Sequence, residues 1–230
     1  GWAKIIFTAM DNGAIISAFT FECQLRIGNG TESPADGFSI NYARASDPTF
    51  TLDSFGNYQS GGWSGTVSEP GSTGGSMAGL AEEGTITGLA IGFDAWNSNS
   101  ALWPADLNPG INDVIGISVR VDNKVVAQVP LSTPNGECAD ATSLQTGPRT
   151  ADSMDFSTMC WQPFKVQLTE DKHLSIWWKG SLIVDNIAVD FAPSAGRLVF
   201  GGRTGDAYQN QHIDQIVLTT IAADKAIFNV

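Results

Sequence analysis

The sequence predicts an all-β sandwich or jelly roll, and three observations carry the prediction. Short runs alternate apolar and polar residues, turn-forming Gly, Asn and Asp punctuate them, and no stretch sustains a helical period. With 230 residues and 25 glycines, the chain has the length of one large all-β domain. It shows no internal repeat and no Pro-rich or Ser-rich linker between separate apolar blocks, so residues 1–230 are expected to form a single domain, one module of a longer protein.

Taken in order, the first strands are expected at Lys4 to Phe7 and Ile15 to Ile27. In the second, Phe19, Phe21, Cys23, Leu25 and Ile27 share one face. After the loop GNGTESPAD comes a strand at Gly37 to Ala43, followed by a Gly-rich and Ser-rich stretch from Ser54 to Gly79 without periodicity. Ile86, Leu89, Ala90, Ile91 and Phe93 form a nearly continuous apolar run, and Ile115, Ile117, Val119 and Val121 alternate strictly. Both read as buried sheet. Asp122 and Asn123 predict a hairpin into Val125 to Val129. Phe164, Val166 and Leu168 alternate, as do Leu174, Ile176 and Trp178; Lys179-Gly180 then turns the chain into Leu182 to Val189. The last strands are Arg197 to Phe200 and His212 to Thr220.

The net charge of -12, with 12 basic against 24 acidic residues, argues against nucleic acid, because phosphate binding needs clustered Lys and Arg. No apolar run approaches the length of a membrane span and no signal-peptide pattern opens the chain, so no membrane insertion is expected. Of the three cysteines, Cys23 lies on the apolar strand face and reads as a buried free thiol. Cys138 and Cys160 flank a polar segment without sheet periodicity; a bridge between them would stabilise by about 3 kcal/mol and would imply an oxidising compartment, hence a secreted or cell-surface protein. No Cys/His cluster of zinc-site spacing is present.

The segment between the two central strands is different in kind. It gathers Asp94, Asn97, Asn99, Asp106, Asn108, Asn112 and Asp113 together with Trp96 and Trp103. Hard oxygen donors suit calcium, and a ring beside them suits the apolar face of a sugar. Five motifs then fall in a familiar order: PADGF at Pro34 to Phe38, EPGSTGGSMAGL at Glu69 to Leu80, GLAIGFDAW at Gly88 to Trp96, VIGISV at Val114 to Val119, and LVFGGRTG at Leu198 to Gly205 followed by HIDQIVL. This order resembles the legume and L-type lectins over most of the chain, and implies a concanavalin A-like jelly-roll β-sandwich that binds a glycan or polysaccharide.

What the resemblance implies for the site is carried over residue by residue. Asp36 matches the acid that accepts hydrogen bonds from sugar hydroxyls, and Ala35-Asp36 falls where the family has a cis peptide. Gly75 matches a glycine whose N–H faces the sugar, Trp96 the aromatic that stacks on it, and Asn99 (or Ser98) the asparagine that contacts both calcium and sugar. Gly205 to Asn210 is the variable fourth loop. Calcium would be held by Asp94, the Trp96 carbonyl, Asn99 and Asp106. The family's metal-binding Glu is replaced by Gly92 and its His by Val114, so no transition metal is expected.

Other readings stay open at this level. Asp36 and Asp94 also suit turns that bond their own backbone, and Trp96 also suits a core position. His212 suits a bond to a backbone carbonyl, His173 a hairpin turn, and Asn29-Gly30-Thr31 fits a glycosylation sequon. Glucanases and lyases share the fold, but retaining glucanases need paired acids on one strand face. The strand at Gly88 to Asp94 offers one acid, and the adjacent Glu82 and Glu83 should diverge, so no enzyme is expected. A structural or adhesive module that has lost sugar binding is the remaining alternative.

Overall fold

The computed structural model describes residues 2–50, 81–97, 106–133, 138–150 and 153–223. Gly75, Asn99, Trp103 and the Ser54 to Gly79 stretch lie outside these residues. Among the described residues the strands are, in chain order, β1 (Trp2–Ile6), β2 (Ile16–Gly28), β3 (Gly37–Arg44), β4 (Leu89–Asp94), β5 (Gly116–Val121), β6 (Lys124–Pro130), β7 (Gln162–Leu168), β8 (His173–Trp178), β9 (Ser181–Ala188), β10 (Gly196–Arg203) and β11 (Asn210–Ala222). Two 3-10 turns, Met10–Gly13 and Pro48–Phe50, are the helical elements. The strands form two antiparallel sheets, one in the order β1-β10-β3-β4-β5-β6 and the other β11-β2-β7-β8-β9.

The alternation in the sequence builds the core directly. Phe19, Phe21, Cys23, Leu25 and Ile27 of β2 and Phe164, Val166 and Leu168 of β7 are all buried, as are Phe38, Ile40, Leu89, Ile91, Phe93, Ile117 and Val119 of the other sheet. Burial of the Cys23 thiol in this layer raises its pKa well above the ordinary value. Trp178 is fully buried among Phe93 and Phe164.

The six-stranded sheet is buried on its other face too, which explains the continuous apolar run in β4. Ser39, Asn41, Ser118 and Arg120 lie on that second face and are buried, covered by the segment that runs through Ala81 to Thr85. Ser39 Oγ donates to the Ala81 carbonyl at 2.5 Å, and the Thr85 N–H donates to Asn41 Oδ1 at 3.1 Å. The apolar run itself is cut short at its start: Ile86 falls before the strand, because Gly88 adopts φ +78 and packs so close to the Tyr42 carbonyl that a Cβ would stand 2.0 Å from it.

Cys138 and Cys160 are joined, with Cα atoms 5.5 Å apart. The segment they close is fastened to the five-stranded sheet: the Thr146 N–H donates to the Ile27 carbonyl at 2.8 Å, and Trp178 Nε1 to the Ser143 carbonyl at 3.0 Å. Lys179 Nζ donates to the carbonyls of Asp140 and Gln145 at 2.7 and 2.5 Å. Asn29 is 1% exposed, its Nδ2 donates to the Asp155 carbonyl and its Oδ1 accepts from the Thr150 N–H at 2.7 Å, so the sequon nitrogen is occupied inside the fold. Thiol titration should find no reactive thiol in the native protein and one, Cys23, after denaturation without reductant; three would refute the bridge.

Candidate functional site

The pairing of β3 with β4 sets Gly37 opposite Asp94, and so joins the loops that precede the one and follow the other. The Ala95 N–H donates to the Asp36 carbonyl at 2.8 Å, which brings the loop of Trp96 beside the loop of Asp36 although the chain places them far apart. The Ala35–Asp36 peptide is cis. Arg203, opposite Gly37 at the end of β10, completes the arrangement. Its Nη2 bonds Asp36 Oδ1 at 3.1 Å and Glu82 Oε1 at 2.7 Å, while its Nε donates to Glu82 Oε2 at 3.2 Å. Gly205 follows so closely that a Cβ on it would lie 3.9 Å from Asp36 Oδ2. Asp36 is thus an acceptor held by a guanidinium at the mouth of the fourth loop.

Beside it, on the covered face of the sheet, three buried carboxylates converge. Ligand oxygens of Glu83, Asp94 and Asp113 all lie within 4.8 Å of one another. Glu83 pairs with the buried Arg120, and Asp94 Oδ1 accepts the Trp96 N–H at 2.8 Å. Burial, with Asp113 and Glu83 close by, holds the Asp94 carboxyl well above its ordinary range; burial likewise raises Glu83, opposed by Arg120. Burial also pushes Glu82 up to about 7, with Arg203 acting against it. Carboxylates this close repel one another when ionised in a low-dielectric site, and the Arg120 guanidinium pairs with Glu83. A cation would relieve that repulsion, and hard oxygen ligands of this kind fit calcium.

Trp96 is 45% exposed, which excludes the core reading. It borders a hollow of about 340 Å³ whose walls include Glu32, Pro34, Ala95, Asn97 and Thr133. Asp106 is exposed and is not among the carboxylates that meet Asp94; Glu83 and Asp113 take that place. The reason lies in Asn108, which is buried and pins the β5–β6 hairpin, accepting from the Val125 N–H at 2.7 Å and donating to the Asn123 carbonyl at 3.1 Å. That anchor leaves Asp106 in the turn outside.

Glu82 and Glu83 do diverge, Glu82 toward Arg203 and Glu83 toward Arg120, yet both are buried rather than solvated. Sequence reasoning missed Glu83, although a signal was present. Gly92 inside a strand marks a close backbone approach, and here a Cβ at Gly92 would stand 2.3 Å from the Glu82 carbonyl. Glu83 thus reaches the covered face beside Gly92 from the segment that crosses the strand.

No protein-family model matches this sequence, and no curated protein matches it in sequence. Solved structures do match in fold. The carbohydrate-bound lumenal domain of VIP36 aligns with a TM-score of 0.51 at 14% identity over 98% of this chain and 76% of that one. The fold is that of the L-type and legume lectins. Lectin II from Ulex europaeus aligns at 0.53 with 12% identity over 95% of this chain and 81% of its own, and the Bauhinia forficata lectin in complex with GalNAc at 0.50 with 19% identity over 90% and 74%. The expected concanavalin A-like jelly roll is thus the observed one, at identities that establish the architecture and leave the chemistry to the residues described above.

Proposed function

We propose that this domain is a non-catalytic, calcium-assisted carbohydrate-binding module of the secretory pathway or cell exterior. The observation that carries the reading is the juxtaposition of a guanidinium-held acceptor, Asp36, an exposed ring, Trp96, and a buried triad of acids one of which, Asp94, directly precedes the contact that joins their loops. Solved relatives of the same fold are described with bound Ca2+ and mannose and with GalNAc, which supports a glycan as the partner. The disulfide supports an oxidising compartment.

Glu83, Asp94 and Asp113 would hold calcium, which would supply the positive charge that lets all three ionise and would fix the loop that carries Trp96. Asn99 and the Trp96 carbonyl remain part of the proposed ligand set, and Gly75 and Asn99 part of the proposed sugar contacts. No transition metal is proposed, since the donors are oxygens alone. The non-catalytic reading is supported by the state of the candidate acids: Glu82 and Glu83 are each tied to an arginine.

Asp36→Asn should reduce glycan affinity at least about tenfold, because a charged acceptor becomes partly a donor. Trp96→Ala should cost a similar factor while leaving the melting temperature within about 2 °C, as befits an exposed ring. A glycan array with and without chelator, followed by titration of both variants, provides the measurement. Intact binding by Asp36→Asn would refute the site, and binding indifferent to chelator would remove calcium from it.

A further inference from the structure

Arg26 lies on the solvent side of the five-stranded sheet, on β2, opposite His212 of β11. Its guanidinium carbon stands 4.3 Å from the centre of the Phe156 ring and 4.6 Å from that of Trp161. Its Nε donates to His212 Nδ1 at 3.0 Å, and the His212 ring meets Phe156 edge-on at 5.1 Å. The bond accounts for His212 through a side chain rather than the backbone carbonyl expected from sequence. Burial and the Arg26 charge both lower the His212 pKa, which suits the neutral ring that this bond requires.

The rest of the guanidinium is left over. Its terminal nitrogens have no hydrogen-bond partner and no carboxylate among the described residues, and they reach solvent. In a chain with twice as many acids as bases this is a notable omission, since Arg44, Arg120 and Arg203 each hold a carboxylate. The side chain is also fixed. Rings lie within cation–π distance of the guanidinium, His212 occupies Nε, and the free edge is the planar fork that matches two oxygens of one anion. The rings themselves are built in place by the disulfide: Phe156 lies inside the segment it closes and Trp161 directly follows Cys160. Both remain partly open, Phe156 at 45% and Trp161 at 38% exposure.

We propose that Arg26 is the centre of a second saccharide subsite, one that takes a sugar bearing a carboxylate or a sulfate, with Trp161 against the ring of that sugar. The oxyanion half rests on the geometry of Arg26 alone; the saccharide half rests on the glycan reading given above. Nothing in it requires calcium or Asp36.

The test is a titration of the full chain with methyl β-D-glucuronide, galactose 6-sulfate, methyl β-D-glucoside and sodium sulfate, followed by NMR on the Trp161 indole N–H. At least one acidic sugar should bind at least about tenfold tighter than the glucoside, in chelator and in Asp36→Asn alike. Whichever acid wins identifies the oxyanion. Arg26→Lys, which keeps the charge but loses the fork, should weaken that binding at least about fivefold with little change in melting temperature. Arg26→Gln should abolish it. Equal binding of glucuronide, sulfated sugar and glucoside would overturn the subsite while leaving the Asp36 site standing. Unchanged binding by Arg26→Lys would overturn the role of Arg26, and sulfate ion binding as tightly as the sulfated sugar would reduce the site to an anion site and overturn its saccharide half.

Discussion

In a calcium-free buffer the protein should melt at a higher temperature near about pH 5.5 than near about pH 8, and saturating calcium should remove the part of that difference that comes from Glu83 and Asp94 while leaving the part that comes from Glu82, which Arg203 holds outside the triad. The sign follows from Glu82, Glu83 and Asp94, whose carboxyls are all raised in the folded state. For a raised carboxyl the folded state binds more protons than the unfolded one between the two pKa values, so stability is full below the unfolded value and is lost as pH rises through the folded one. For Glu82 that window runs from 4.5 to about 7. A shift of this size corresponds to about 3 kcal/mol, or roughly 6–10 °C in a domain of this length. Asp122 behaves oppositely: its bonds to Arg44 and to the Gly88 N–H lower its pKa despite its partial burial, and its contribution is lost only below the ordinary carboxylate range. The metal-free optimum should therefore fall at mildly acid pH. Differential scanning fluorimetry across pH, with chelator and with calcium, reads this directly; a flat profile in chelator would mean the acid cluster is already neutralised by other means.

Trp178→Ala should cost about 3–5 kcal/mol, the largest loss expected from one side chain here. The residue is fully buried, stands edge-on to Phe93 at 6.2 Å and Phe164 at 6.5 Å, and donates from Nε1 to the Ser143 carbonyl at 3.0 Å. It therefore packs the core and fastens the disulfide-closed segment at once. Trp178→Phe separates the two roles, since it keeps most of the packing and leaves a buried carbonyl without this donor, at a cost of about 1–3 kcal/mol. Urea unfolding of both variants measures the difference. A loss under about 1 kcal/mol for the alanine variant would show that the core closes over the cavity, contrary to its close packing.

Most of the architecture was legible as period-two alternation, because β2, β7 and β8 of the five-stranded sheet bury one face and wet the other. Lys165 and Trp177 on the wet face and Val166 and Ile176 within follow that rule residue by residue. The site was legible only in part. Asp36, Asp94 and Trp96 stood out as polar or aromatic residues at strand ends. Glu83 did not, because its partners come from β4, β5 and the segment before β5, and local spacing carries no record of such a meeting. Arg120 carries the same lesson: it occupies an outward position in the alternation of β5, and outward there faces the covering segment and not water. The continuous apolar run of β4 and Gly92 within it were the local traces of that second buried face.

The pairing of β1 with β10 and of β2 with β11 also bears on how the chain reaches this structure. Trp2 meets Arg203 and Ile16 meets Ala222, so each sheet closes only when strands from opposite ends of the order come together. Contacts that distant contribute nothing until a large loop-closure entropy has been met, which puts such topologies among the slow folders. During synthesis the apolar face of β2, with Phe19, Phe21 and Leu25, emerges long before β7 and β11 exist to flank it. The sheet of β2 should therefore close only after β11 has been synthesised, and the apolar face of β2 stays open to solvent until β7 and β11 flank it.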